Sequence, residues 1–155
     1  MKFTGEFTVS APREVVYDRL NDAPFFASCL EGVGELTQVD ETRYTATLET
    51  RIAYIKFRFA VAVEFVEKVA PEKIVAKAEG TPLGVVGRLT STASAVLRED
   101  GPDKTIVAYD MDVALAGKLG SIGQPVLKAK AKEMERSFVK NINAAFANAG
   151  SEARA

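Results

Sequence analysis

The side chains that most invite a chemical role are few. They are Asp110 and Asp112 in VAYDMDVAL, the single Cys29 in FFASCLEG, and the tyrosines Tyr44 and Tyr109. Two carboxylates two residues apart on a strand share one face. An acid–base pair or a magnesium site would need further converging groups, and the sequence shows none plainly. The alternate residues Val107, Tyr109, Met111, Val113 and Leu115 are predicted to point inward, which turns the aspartates to water. Cys29 lies beside Phe25, Phe26 and Leu30, the setting of a small buried hydrophobe. The chain has no histidine. That removes Ser-His-Asp and Cys-His catalysis and histidine-bound metals. A lone cysteine builds no zinc or iron–sulfur site, and its activation would need another source, such as a nearby lysine. No catalytic set and no metal site is expected.

Two glycine-rich stretches stand out, GTPLGVVG at 80–87 and GKLGSIG at 117–123. The second lacks the GxxxxGK[ST] order of a phosphate-binding loop. Neither sits in the alternating strands and helices of a dinucleotide fold. The second reads as a tight strand-to-helix connection or as a hinge or lip at a pocket entrance; the first, with apolar Leu83, Val85 and Val86, as a hairpin turn or as an apolar loop tip that gates a cavity or touches lipid.

These residues need elements to position them. KFTGEFTV, residues 2–9, alternates as a half-buried strand. A short helix is expected over 12–20 with Ser10 as its cap. A second starts at Asp22 and Pro24 and stops near Gly32. Strands follow at 35–39, 43–51, 55–66, 73–79, 84–97 and 105–115, separated by turn residues that suit antiparallel neighbours. In the clearest one, Ile55, Phe57, Phe59, Val61, Val63 and Phe65 share a face. From Lys118 to about 147 the apolar period becomes helical, through Leu127, Ala131, Met134, Phe138 and Ile142. Lys128, Lys130, Lys132, Arg136 and Lys140 make its outer side basic.

A curved antiparallel sheet closed by this helix buries every apolar stripe. Small residues, Gly87, Ser91, Ala93 and Ala95, would leave room beneath the helix, with Phe57, Phe59 and Phe65 as an apolar lining. The chain of 155 residues is 47 % apolar and 26 % charged, with a net charge of −1. These values fit one globular domain, expected over 1–147 with a flexible tail at 148–155. They show no overall basic character that would suggest nucleic acid. MKFTGEFTVSAP lacks the continuous apolar core of a signal peptide, and no uncharged apolar run is long enough to span a bilayer. One cysteine fits a reducing compartment. A cytoplasmic protein is expected, able to visit a membrane surface.

The sequence resembles the carbon monoxide dehydrogenase G-subunit family of the START/Bet v 1-like (polyketide cyclase-like) superfamily, over roughly residues 1–147. MKFTGEFTVSAPREVVYDRLND is similar to the family's opening. ASCLEGVGEL is similar to its Cys-x-Pro-Gly segment, with Glu31 in place of the proline and Gly32 retained. GKLGSIGQPVLKAKAKEM resembles its Gly-Lys-Leu junction. The resemblance implies an α+β helix-grip fold: seven antiparallel strands around a long C-terminal helix, with two short helices after the first strand. It also implies an interior apolar cavity suited to a quinone-like or lipid-like molecule. The function it implies is non-catalytic: an accessory protein that helps recruit or couple a molybdenum hydroxylase of the carbon monoxide dehydrogenase type at the inner membrane. On that reading Phe57, Phe59, Phe65, Tyr109, Met111 and Met134 line the cavity. Leu83, Gly84, Gly87, Gly117 and Gly120 shape its mouth. No covalent cofactor is expected. Two alternatives stay open. One is a cyclase- or hydrolase-like enzyme using Tyr44, Tyr109 and Asp110. The other is a ligand-free assembly or membrane-recruitment module.

Overall fold

The computed structural model describes residues 1–52 and 54–154, with side chains described as far as Ala147. In chain order the elements are β1 (Lys2–Val9), α1 (Arg13–Asn21), α2 (Ala23–Ser28), β2 (Val33–Gln38), β3 (Arg43–Ile52), β4 (Ile55–Val69), β5 (Lys73–Pro82), β6 (Gly87–Glu99) and β7 (Thr105–Gly117). A short 3₁₀ turn, Lys118–Ser121, then leads to α3 (Gln124–Arg154). The side chains of the expected tail at 148–155 lie outside the described residues.

All seven strands form one antiparallel sheet in the order β1-β7-β6-β5-β4-β3-β2. Every connection from β2 to β7 is a hairpin, so these strands stack in sequence. The chain reaches the far edge only through α1 and α2, which carry it from β1 to β2. The α3 helix has 31 residues, about 46 Å at ~1.5 Å per residue. It lies across the concave face, and its close backbone approaches to the sheet are to β1 and β3, near the two edges. This is the helix-grip architecture.

Among the differences from the sequence expectation, two belong together. The helix starts at Gln124 rather than Lys118, and β6 starts at Gly87 rather than Gly84. Both differences come from one junction. Gly117 has φ 67° and ψ −143°, a backbone state that essentially only glycine adopts. It ends β7 and turns the chain into the 3₁₀ turn. The Lys118 N–H then donates to the Val86 carbonyl at 2.9 Å, which fixes 83–86 as the hairpin tip. Ser10 does not cap α1. Pro12 takes the cap position without a side-chain bond, and the Ser10 N–H instead donates to the Asn143 side chain at 3.4 Å. Asp22 does cap α2, accepting from the Phe25 N–H at 3.4 Å.

The second half of α3 is tied down by polar side chains. Asn143 donates to the Thr8 carbonyl at 3.1 Å, Asn141 to the Cys29 carbonyl at 3.0 Å, and the Ser137 hydroxyl to Glu31 at 3.1 Å. Cys29 is only 2 % exposed, and burial pushes its thiol pKa up, against a smaller lowering by Ser28. It is a packing residue, as its apolar neighbours predict.

Candidate ligand-binding cleft

The strand register lays the inner face out as rungs. At one end of the sheet, Val9, Val16, Leu20, Leu97, Val107 and Ile142 form a buried core under α1 and α2. At the other end Ile52, Phe57, Phe59 and Leu119 form a second, separate core. Between them lie two rungs, Tyr44–Val63–Ala78–Ser91–Val113 and Ala76–Ala93–Met111–Phe3. Phe65 completes the second rung beside Ala76. Every residue on both rungs is only partly buried, although each faces the helix. Leu127, Ala131 and Met134, on the α3 stripe above them, are likewise partly buried.

A sheet fully packed beneath a helix buries its central rungs most deeply. Here the centre is the least filled part. Side-chain volume fits this pattern: Ala76, Ala78, Ser91 and Ala93 on β5 and β6 are small, and the principal backbone approaches of α3 are to β1 and β3. The two rungs thus form a less deeply buried apolar stretch between two buried cores, and this stretch is the candidate ligand cleft.

One polar corner adjoins this cleft. Tyr109 lies one rung beyond Met111 and pairs with Gly5 of β1. Gly5 leaves a specific space. A Cβ built on it would lie 2.5 Å from the Tyr109 hydroxyl and 2.6 Å from Glu135 Oε1 of α3. The glycine thus makes room for a tyrosine–carboxylate pair between sheet and helix. Burial first, then the hydrogen bond to Glu135 and its negative charge, push the Tyr109 pKa up to about 12. At neutral pH the phenol therefore stays protonated beside the Glu135 carboxylate.

The residues predicted to line a cavity do not all meet. Phe65, Met111 and Met134 border the cleft, and Phe65 packs edge-on against Tyr44 with ring centroids 5.9 Å apart. Tyr109 stands at the polar corner. Phe57 and Phe59 stack on each other at 5.8 Å inside the second core, beside Leu119. They wall the cleft's end. Among the predicted mouth residues, Leu83 is exposed and Gly84, with φ 81°, has open space around it. Gly87 and Gly117 face each other across β6 and β7, where a Cβ on Gly117 would lie 2.7 Å from the Gly87 Cα. Their role on this geometry is close packing around Leu119. Gly120 is exposed and meets its surroundings at ordinary contact distance, 3.6 Å from the Leu115 carbonyl.

Sequence reasoning alone misses Gly5 and Glu135. A glycine inside an alternating strand does signal a close approach. Glu135 carries no such signal, since it sits on the helix flank among other charges. Asp110 and Asp112 lie on the outer face in water, and Asp112 faces the chain's amino group at 3.6 Å. Among the described residues no group of three or more His, Cys, Asp or Glu side chains is placed to hold a metal. Two open depressions of about 600 and 620 Å³ lie on the outer face, over rungs such as Thr45–Ala62–Glu79–Thr90. They have no second layer above them and cannot enclose an apolar molecule.

The comparisons with known proteins agree with this architecture. The family of the carbon monoxide dehydrogenase G subunit (CoxG) matches over residues 5–147. Among solved structures, a conserved protein from Geobacillus kaustophilus is similar with a TM-score of 0.87 and 23 % identity, covering 96 % of each chain. The Zhui aromatase/cyclase from Streptomyces sp. R1128 has a TM-score of 0.65 at 13 % identity, covering 93 % of this chain and 92 % of its own. A START superfamily protein from Mycobacterium smegmatis has 0.63 at 17 % identity, covering 92 % and 94 %. At these identities the likenesses show the fold. No curated protein matches the chain.

Proposed function

The chain belongs to the carbon monoxide dehydrogenase G-subunit (CoxG) family, and we propose that it is an accessory protein that carries an apolar, quinone-like or lipid-like molecule in the cleft between sheet and α3. The observation that supports this reading is the interrupted core. Two whole inner rungs, Tyr44 to Val113 and Phe3 to Phe65, stay partly exposed between two fully packed ends. Apolar surface left uncovered in this way is costly in water, and a flat apolar ligand would cover it. Phe65, Met111 and Met134 supply contact area, and the Tyr109–Glu135 pair supplies orientation through a ligand hydroxyl. The family's description names carbon monoxide dehydrogenase, and the partner in this reading is a molybdenum hydroxylase of that type. The protein would serve it at the cytoplasmic face of the inner membrane as a peripheral component. Among the described residues no helix is long and apolar enough to cross a membrane.

The test is mass spectrometry of organic-solvent extracts of the purified protein, followed by titration with decylubiquinone. A stoichiometric quinone or lipid absent from a matched control is the expected result. Ala93→Leu, which fills the middle of the cleft, is expected to remove decylubiquinone binding while the protein stays folded. Undiminished binding in that variant would overturn the site.

A cyclase-like enzyme is the second reading, favoured by one observation: Tyr109 and Glu135 meet beside the candidate cleft. It requires turnover of a hydrophobic substrate that Tyr109→Phe or Glu135→Gln abolishes. Binding without turnover places the pair in recognition instead.

A further inference from the structure

We propose that the end of the molecule formed by the β3–β4 tip, the β5–β6 tip and the start of α3 is a bilayer-docking surface selective for anionic lipid. The inference rests on the peripheral-membrane part of the function above and assigns it a surface and a lipid chemistry.

The first observation is apolar exposure at the two hairpin tips of one end, which carry the three most exposed large apolar residues, while Val39, Val66 and Val69 are less exposed and lie elsewhere. Tyr54 is 99 % exposed, Val86 80 %, Ile55 58 % and Leu83 52 %. The antiparallel register puts both hairpin tips at the same end of the sheet, with β7 ending beside them at Gly117. The β5–β6 tip is held by the frame. The Leu83 N–H donates to the Arg58 carbonyl at 2.8 Å and the Lys118 N–H to the Val86 carbonyl at 2.9 Å. Apolar side chains at the tips of separate turns suit a fluid interface, into which each inserts independently. Tyrosine at such a tip suits the headgroup level.

The second observation is charge. Segments 50–58, 80–88 and 114–128, which build this end, contain Arg51, Lys56, Arg58, Arg88, Lys118 and Lys128 and no carboxylate. Lys56, Arg58 and Arg88 pair with Glu49 and Glu79, further along the strands, and Arg58 also with Glu35. Arg51, Lys118 and Lys128 have no ion pair among the described residues. The opposite end is richer in carboxylates: its turns at 40–42, 67–72 and 99–104 hold seven against two lysines, three of the seven paired, Asp40 with Arg43, Glu67 with Lys73 and Glu99 with Arg13. A chain of net charge −1 therefore presents an apolar, cationic pole and an acidic pole. Apolar insertion plus a cationic fringe is the two-part signal that holds a protein on an anionic bilayer. The acidic pole, repelled by the same surface, sets the orientation.

The chain has no tryptophan, so a single introduced indole reports its own position. Val86→Trp and, as a control on the outer face of the sheet, Val96→Trp are mixed with vesicles of phosphatidylcholine with and without phosphatidylglycerol. The expected result is a blue shift, and quenching by brominated lipid, for Val86→Trp on the anionic vesicles and neither for Val96→Trp. In co-sedimentation, the Arg51→Glu/Lys118→Glu double variant is expected to bind anionic vesicles about tenfold or more weakly. Leu83→Asp/Val86→Asp is expected to bind weakly as well, with an unchanged circular dichroism spectrum. Vesicle binding with the indole at 86 still in water overturns this surface and leaves the peripheral-membrane reading intact. Equal binding to neutral and anionic vesicles overturns the lipid selectivity. No vesicle binding at all overturns both this inference and the peripheral-membrane reading, while the extraction and titration still judge ligand carriage.

Discussion

At the scale of single residues, the contact that bears most on the candidate cleft is that of Gly5 with Tyr109 and Glu135. Any side chain at position 5 occupies space held by the phenol and carboxylate oxygens. Gly5→Val is therefore expected to displace the pair from the cleft's corner and destabilise the fold by about 1–3 kcal/mol, the range for overpacking a filled site. Chemical denaturation checks this. The pair also makes an alkaline prediction. The folded pKa of Tyr109 is raised to about 12 from the ordinary 10.0. Its stabilising contribution is thus fully present below pH ~10 and lost as pH rises through ~12. Spectrophotometric titration of the four tyrosines is expected to show a late step near pH 12 that is absent in Tyr109→Phe. A titration complete near the ordinary 10.0 in the wild type would contradict the buried pair.

At the scale of elements, the glycine-rich junction after β7 does two jobs. Gly117 holds a backbone state foreign to side-chain-bearing residues and lies against Gly87. Gly117→Ala is expected to cost about 1–3 kcal/mol from backbone strain alone, with more from the close contact. Leu119, 1 % exposed, is the hydrophobe that the turn drives into the second core. Leu119→Ala is expected to cost about 2–5 kcal/mol and to loosen the cleft's end wall. Thermal denaturation of the two variants measures both effects.

The same junction shows what is legible in the sequence. Alternation along β4 assigns the face of Phe57, Phe59 and Phe65, because a strand has a period of two. It does not say which rung each residue occupies. That depends on where the hairpins turn, so Phe57 and Phe59 fall in a packed core while Phe65 reaches the cleft. The small residues Ser91 and Ala93 are legible as a place of low volume. The missing space becomes visible only when the register sets them beside Ala76 and Ala78, with the helix standing off. The apolar period after Lys118 reads as helix throughout, since Leu119 and Ile122 fit the stripe. The Gly117 backbone and the 3₁₀ turn that interrupt it leave no trace in that period. Glu135 is illegible for a related reason: its meaning comes from Gly5, 130 positions away in the chain, and only the β1–α3 contact joins them.

At the scale of the whole molecule, stability and binding oppose each other. The two packed cores and the polar ties from Asn141 and Asn143 hold α3 firmly at one end, while the residues of the two central rungs are only partly buried. A protein selected only for stability would fill that gap, because each buried methylene adds about 0.8 kcal/mol. Filling it is therefore a test of purpose. Ala78→Leu and Ala93→Leu project onto the two open rungs. If the space serves a ligand, each substitution is expected to raise the melting temperature of the ligand-free protein by a few degrees. The same substitutions would weaken decylubiquinone binding tenfold or more. The opposite pattern, a lower melting temperature with binding unchanged, would mean that the rungs are already filled by the helix in solution and that the cleft is no binding site. A rise in stability with binding retained would place the ligand elsewhere. The sign of two measurements on the same variants thus separates a cleft kept open for a guest from a core that is merely loosely packed.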